Sequence, residues 1–215
     1  MSLFLFELKF YIKNIKEAIY IYSFFISAAL MAPFALQSEN LTLIQSIAPV
    51  ILWIALASSI ALAGMDLFRR DLESGRLEYY QLLPISLERL IFIKWAAFYL
   101  FIAIPLLLCL PVMALLFNIP SAALGHYAIG LAAGAGALSV ITCLVAALIT
   151  GLARAGGMLS LIILPLCIPV MIFGSDYCHQ IESLWHPDLV FLIGLTVFLL
   201  PITAFAGASS IRNSN

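Results

Sequence analysis

Six stretches of this chain, residues 18–36, 43–65, 93–117, 127–150, 156–175 and 189–210, are almost wholly apolar. Each approaches or exceeds the roughly 20 residues that a helix needs to cross the hydrocarbon core of a bilayer. None holds an Asp, Glu or Arg between its ends, and the only Lys is Lys94, at the start of the third. The fold class expected is an all-α integral membrane protein with six transmembrane helices in one membrane domain over residues 1–215. Composition agrees, because 21 Asp, Glu, Lys and Arg among 215 residues are too few to cover a soluble surface. Pro33, Pro49, Pro105, Pro111, Pro165, Pro169 and Pro201 fall in these runs. Helices inside a membrane bundle tolerate them, since neighbouring groups satisfy the freed carbonyls.

Orientation follows from the basic residues. With six spans both termini share one side. That side receives Lys9, Lys13, Lys16, Arg69, Arg70, Arg76, Arg89, Lys94, Arg154 and Arg212, which is every Lys and Arg in the chain. The opposite loops, near 37–42, 118–126 and 176–188, carry Glu39, Asp176, Glu182 and Asp188 instead. The termini are therefore expected in the cytoplasm. The N-terminus is not expected to be a cleaved signal peptide, because its lysines follow the apolar MSLFLF. A net charge of −1 gives no ground for nucleic-acid binding.

Residues 1–17 form a second feature. Phe4, Leu8, Tyr11, Ile12 and Ile15 share one helical face, and Lys9, Lys13 and Lys16 a neighbouring one. The pattern suits an amphipathic interfacial helix whose lysines meet the headgroups of membrane lipid.

The charge itself is concentrated. Ten of the 21 charged residues lie between Asp66 and Lys94. Within the segment 66–92, Asp71 to Gly75 reads as a turn and residues 76–83 as a short helix stopped by Pro84. Ser86 is placed to cap the helix that follows, with Glu88 in its first turn. This is a short cytoplasmic coupling helix between spans two and three. Tyr79, Tyr80, Leu82 and Leu83 are expected on its surface, a contact face for a soluble partner.

Several chemistries have no residues to carry them. Ion coupling needs ionisable groups inside the spans, and the span interiors have none. No Gly-Lys pair occurs, so there is no phosphate-binding loop for ATP. The energy for directed work has to enter from a partner, through the coupling segment. An intramembrane serine protease would need a nucleophile and a facing histidine; GSD at 174–176 and GASS at 207–210 do not supply them. The chain is expected to be non-catalytic, with no metal site. Cys109, Cys143, Cys167 and Cys178 show no CxxC spacing and read as packing residues. In span four, Gly130 and Gly134 form a GxxxG. Such spacing brings helices close, either within one chain or between two copies in a homodimer.

The layout of N-terminal helix, six spans and coupling helix resembles ABC-2 type exporter permeases. FRRDLESGRLEYYQLLP is more specifically similar to the signature loop of the haem exporter protein B family, the permease of the cytochrome c maturation ABC complex. Arg70, Asp71, Gly75, Leu77, Glu78, Leu82, Pro84 and, ten residues on, Lys94 stand where that pattern places them. APVILWIALASSIAL, IPLLLCLPVMALLFNIP and LPLCIPVMIFGS resemble the family's second, third and fifth spans. The resemblance covers about residues 3–210. Leu83 departs from it, standing where a small polar residue is usual before the proline, and KWAAFYL lacks a histidine–tryptophan pair.

The resemblance implies a multi-pass permease of the bacterial inner membrane (or the mitochondrial one). It implies a separate ABC ATPase subunit that binds ATP and receives residues 71–84, with Arg70, Asp71, Gly75, Leu77, Glu78, Leu82, Leu83 and Pro84 as docking residues. It further implies a tryptophan-rich haem-handling membrane subunit and a haem chaperone as partners, with haem as handled cargo. His126, His179 and His186, with Trp185, fall on the far side by the charge topology, and histidine can ligate haem iron. Two readings of the coupled step stay open: haem delivery, or release of the haem-loaded chaperone. An exporter permease for a lipid, glycan or drug, and a non-transporting assembly scaffold, are the alternatives.

Overall fold

The computed structural model describes residues 3–36, 41–76, 79–80, 85–149, 155–180 and 185–213. Among these there is no strand. Helix α1 (Leu3–Lys13) is separated by Asn14 alone from α2 (Ile15–Leu36), the first span. Span two is α3 (Leu41–Gly64), and a short α4 (Arg69–Glu73) follows it after one tight turn. Span three is segmented into α5 (Leu87–Phe98), a π-turn (Tyr99–Ala103), α6 (Ile104–Leu108) and α7 (Leu110–Leu116). Spans four, five and six are α8 (Leu124–Leu148), α9 (Ala155–His179) and α10 (Pro187–Asn213). The chain is thus a multi-pass, six-span helical membrane protein.

Span three is broken where its prolines demand it. Pro105 has no N–H to offer the carbonyl of Phe101, one turn back. That carbonyl accepts instead from the Tyr22 hydroxyl of α2, at 2.6 Å. The π-turn ends at Ala103, two residues before Pro105, and the helix breaks again at Cys109, before Pro111. Interhelical hydrogen bonds of this kind are modest in membranes. Tyr22→Phe is expected to cost about 1 kcal/mol, read as a small downward shift of the denaturation midpoint in detergent.

Helix α8 is the most enclosed span, and α2 and α10 are the most peripheral. Its small residues explain why. A side chain at Gly130 would strike the Tyr177 ring of α9, and one at Gly134 the Trp53 ring of α3. Gly136 faces Thr196 of α10. Three neighbours therefore approach three glycines of one helix. The close-packing motif of span four is used within the chain, which takes these glycines out of any contact between copies. Trp95 and Tyr99 of span three tie to the same helix: the Trp95 indole donates to Ser139 Oγ at 3.0 Å and the Tyr99 hydroxyl to the Ala132 carbonyl at 3.1 Å.

The two ends of the bundle separate as the charges require. At one end lie α1, α4, the start of α5 and the C-terminus of α10, where the Ser210 hydroxyl donates to the Leu148 carbonyl. This is the basic face. At the other, Gln45 donates to the Asn118 carbonyl at 2.7 Å, and the start of α8 meets the end of α9.

Candidate functional site

On the basic face the chain gathers four charges, three of them buried and the fourth, Arg76, partly exposed. Ser86 caps α5, its Oγ accepting from the Arg89 N–H. Eight residues further on, about 12 Å along the axis, the same helix carries Lys94 inward. Gly75 has φ +69, which glycine adopts without the steric cost a Cβ brings. This turn brings Arg76 back over α4 and leads on to Tyr80. Helix α1 lies across both, with Leu3, Glu7, Phe10 and Tyr11 on its inner stripe.

The Lys94 ammonium contacts Glu7 Oε1 at 3.0 Å and also pairs with Asp71 Oδ2. Arg76 holds the other Asp71 oxygen at 2.9 Å and lays its guanidinium 4.1 Å from the Phe10 ring centroid. The Tyr80 hydroxyl donates to Glu7 Oε1 at 2.9 Å. Phe68 and Tyr80 present their rings to the ammonium, at 5.8 and 5.7 Å, within cation–π reach. Lys94 is 3% exposed, and Glu7 and Asp71 are each 2% exposed. Two carboxylates and two cations sum to zero, which is the condition under which charges can be buried together. Burial first, then the Glu7 charge, pushes the Tyr80 hydroxyl far above the ordinary tyrosine value, so it stays a donor. Burial and Glu7 act on Tyr11 in the same direction. Beside the cluster lies a cavity of about 320 Å³, whose lining includes Tyr11, Asp66, Arg70 and Phe101.

The outer side of the segment is different in kind. Arg69–Glu73 at 3.0 Å and Arg70–Asp66 at 2.8 Å are exposed or partly exposed pairs of adjacent helical turns, worth little to stability. Leu72 and Tyr79, the latter 60% exposed, stand out from this polar surface.

The sequence expectations meet this geometry unevenly. Gly75 is exposed, while Arg70 is partly buried and lines the cavity. Asp71 points inward to Lys94 and Arg76. Tyr80, expected outside beside Tyr79, is buried, because its hydroxyl finds Glu7. Helix rather than turn occupies Arg69–Glu73, and the turn is confined to Ser74 and Gly75. Leu77, Glu78, Leu82, Leu83 and Pro84 lie outside the described residues. Helix α1 exists but ends at Lys13, so that Ile15 begins α2; Ile12 and Ile15 are exposed on the protein, and Glu7 points in. Glu7 is the residue that sequence reading missed. Its signal was available: an acid on the 3–7–10 stripe of an otherwise apolar and basic helix needs a buried cation, and one lysine begins a span.

The far-side residues are not gathered into one site. His126 lies inside α8 rather than in a loop, buried against the Tyr177 ring at 5.8 Å. His186 Nδ1 pairs with Asp188 Oδ2 at 2.8 Å. His179 ends α9 and is exposed, as is Trp185, at 78%. Among the described residues no three His, Cys, Asp or Glu converge as metal ligands.

Comparison with known proteins gives a consistent result. Residues 1–214 match the family described as CcmB protein. A protein named Heme exporter protein B from Paracoccus denitrificans is 35% identical, over 88% of each chain. Its namesake from Pseudomonas aeruginosa is 34% identical over 89% of this chain and 86% of that one. The one from Escherichia coli K12 is 33% identical over 89% and 87%.

Proposed function

Because the chain belongs to the CcmB protein family, we propose that it is the permease subunit of a haem-export ABC transporter serving cytochrome c maturation. It contributes no catalytic residue. A separate ABC ATPase docks on the segment between α3 and α5, in the cytoplasm, and the chain sits in the bacterial inner membrane with both termini on that side. The observation that carries the docking assignment is the two-sided character of this segment. Its inner side is anchored by buried ion pairs, while its outer side offers Leu72 and Tyr79 on a charged background. An anchored element with an exposed apolar contact can receive a push and pass it on.

The test is co-purification through a C-terminal tag. Leu72→Glu combined with Tyr79→Glu is expected to release the ATPase while leaving the amount of membrane-inserted permease unchanged. Retention of the ATPase by that variant would remove the docking assignment. Haem staining of c-type cytochromes in a deletion strain separates haem export from export of a lipid, glycan or drug, which would leave the cytochromes normal. Complementation by a variant that has lost the ATPase would point to an assembly scaffold instead.

For the coupled step, the far-side geometry favours release of a haem-loaded chaperone over passage of haem through this chain. His126 is buried against the Tyr177 ring and His186 pairs with Asp188, whereas His179 and Trp185 are exposed surface that a chaperone or the tryptophan-rich subunit can touch. Haem retained by the purified complex is expected to be unchanged in the His179→Ala, His186→Ala double variant. A clear loss would make these residues ligands.

A further inference from the structure

Helix α1 is joined to the docking segment by contacts that a merely surface-bound helix would not need. Glu7 shares the Lys94 ammonium with Asp71 of α4, takes the Tyr80 hydroxyl, and sits one turn from Phe10, over which Arg76 lies. One residue, Asn14, separates α1 from span one, and its N–H still bonds back to Phe10 and Tyr11 carbonyls. At the other end of the same segment, α4 follows span two after a turn of four residues, Met65–Phe68. Lys94 stands on span three. The cluster is thus where three spans and the docking segment meet.

We infer that α1 and residues 66–80 form a single rigid lever, clamped to span three at Lys94, and that Glu7 is the positioning residue that enlists α1 and, through it, span one. This rests on the permease reading above and extends it. A push on the docking segment moves spans one, two and three together, whereas a segment free of α1 would move only the two spans it connects. The charge balance supports a clamp. Separating α1 from the segment would strip Glu7 of its cation and leave Asp71 with both Lys94 and Arg76, a net charge of +1. The neutral arrangement is the assembled one.

The experiment uses the full complex in cells lacking the native gene, reading c-type cytochrome output, ATPase retention and ATP turnover. Glu7→Gln keeps size and removes the carboxylate charge. It is expected to lower cytochrome output by about tenfold, the scale of a typical coupling energy, with the ATPase still bound and hydrolysing ATP. The Glu7→Gln, Lys94→Met double variant separates a lever from a simple burial effect. It leaves Asp71 with Arg76, so the buried charge again sums to zero. If Glu7 matters only for charge balance, output returns with the double variant, and the inference falls. If α1 must be tied to the segment, complex levels recover and output stays low. Normal output from Glu7→Gln alone would also overturn the inference. Failure of the unaltered chain to hold an ATPase would instead overturn the permease reading.

Discussion

Lys94→Met is expected to destabilise the protein by about 3–5 kcal/mol, the range for removing one partner of a buried ion pair. The ammonium it removes serves two carboxylates, Glu7 and Asp71, each about as buried as Lys94 itself. Arg76 can still neutralise Asp71. Glu7 is then left with the Tyr80 hydroxyl and no cation, and the cluster carries one uncompensated negative charge. The loss should appear as a lower denaturation midpoint for the purified protein in detergent. The exposed Arg69–Glu73 pair supplies the control: Arg69→Ala should cost no more than about 0.5 kcal/mol. Lys94→Met made in a Glu7→Gln background should cost much less, because neutrality is restored. Equal losses in the two backgrounds would mean that the stem of Lys94, and not its charge, holds the cluster.

The same residues mark the limit of what the sequence discloses. The six spans were legible because bilayer thickness allows few lengths, and because a count of six puts all ten basic residues on one side. The position of the charged segment between spans two and three was legible for a similar reason: charge in an apolar chain has few places to go. The inner face of α1 was not. Apolar periodicity identifies the buried side of a helix when water lies outside. On a membrane protein the outer side also meets apolar material, so Ile12 and Ile15 face out and Glu7 turns in towards Lys94. Tyr80 was misplaced by the same reasoning, since an aromatic ring on a polar segment reads as surface until its hydroxyl has a partner. His126 was read as a loop residue because the stretch 118–126 is less apolar than the run after it. The helix begins at Leu124 all the same and packs the imidazole on Tyr177.

Trp53 is the keystone of the far half of the bundle, and crowding it is the second large effect. Its ring is fully buried between α8 and α9. A methyl group at Gly134 or at Gly174 would fall inside the six-membered part of the indole, approached from two different helices. Gly174→Ala is therefore expected to cost at least about 1–3 kcal/mol, the usual range for overpacking, since two neighbours pin the ring and it has no direction in which to yield. Trp53→Ala should cost about 3–5 kcal/mol by the opposite route, an unfilled cavity. The two changes should not add. In a Trp53→Leu background the six-membered ring is gone, and a methyl at position 174 then enters vacated space. There Gly174→Ala should be neutral or stabilising, giving a coupling of at least about 1 kcal/mol between the sites. Additive losses would show that Gly174 is needed for helix α9 itself and not for the indole. Coupled losses would fix the purpose of this tryptophan as packing. Of the three tryptophans, Trp95 is bound to Ser139 and Trp53 is enclosed in the core. Trp185 differs from both in being exposed.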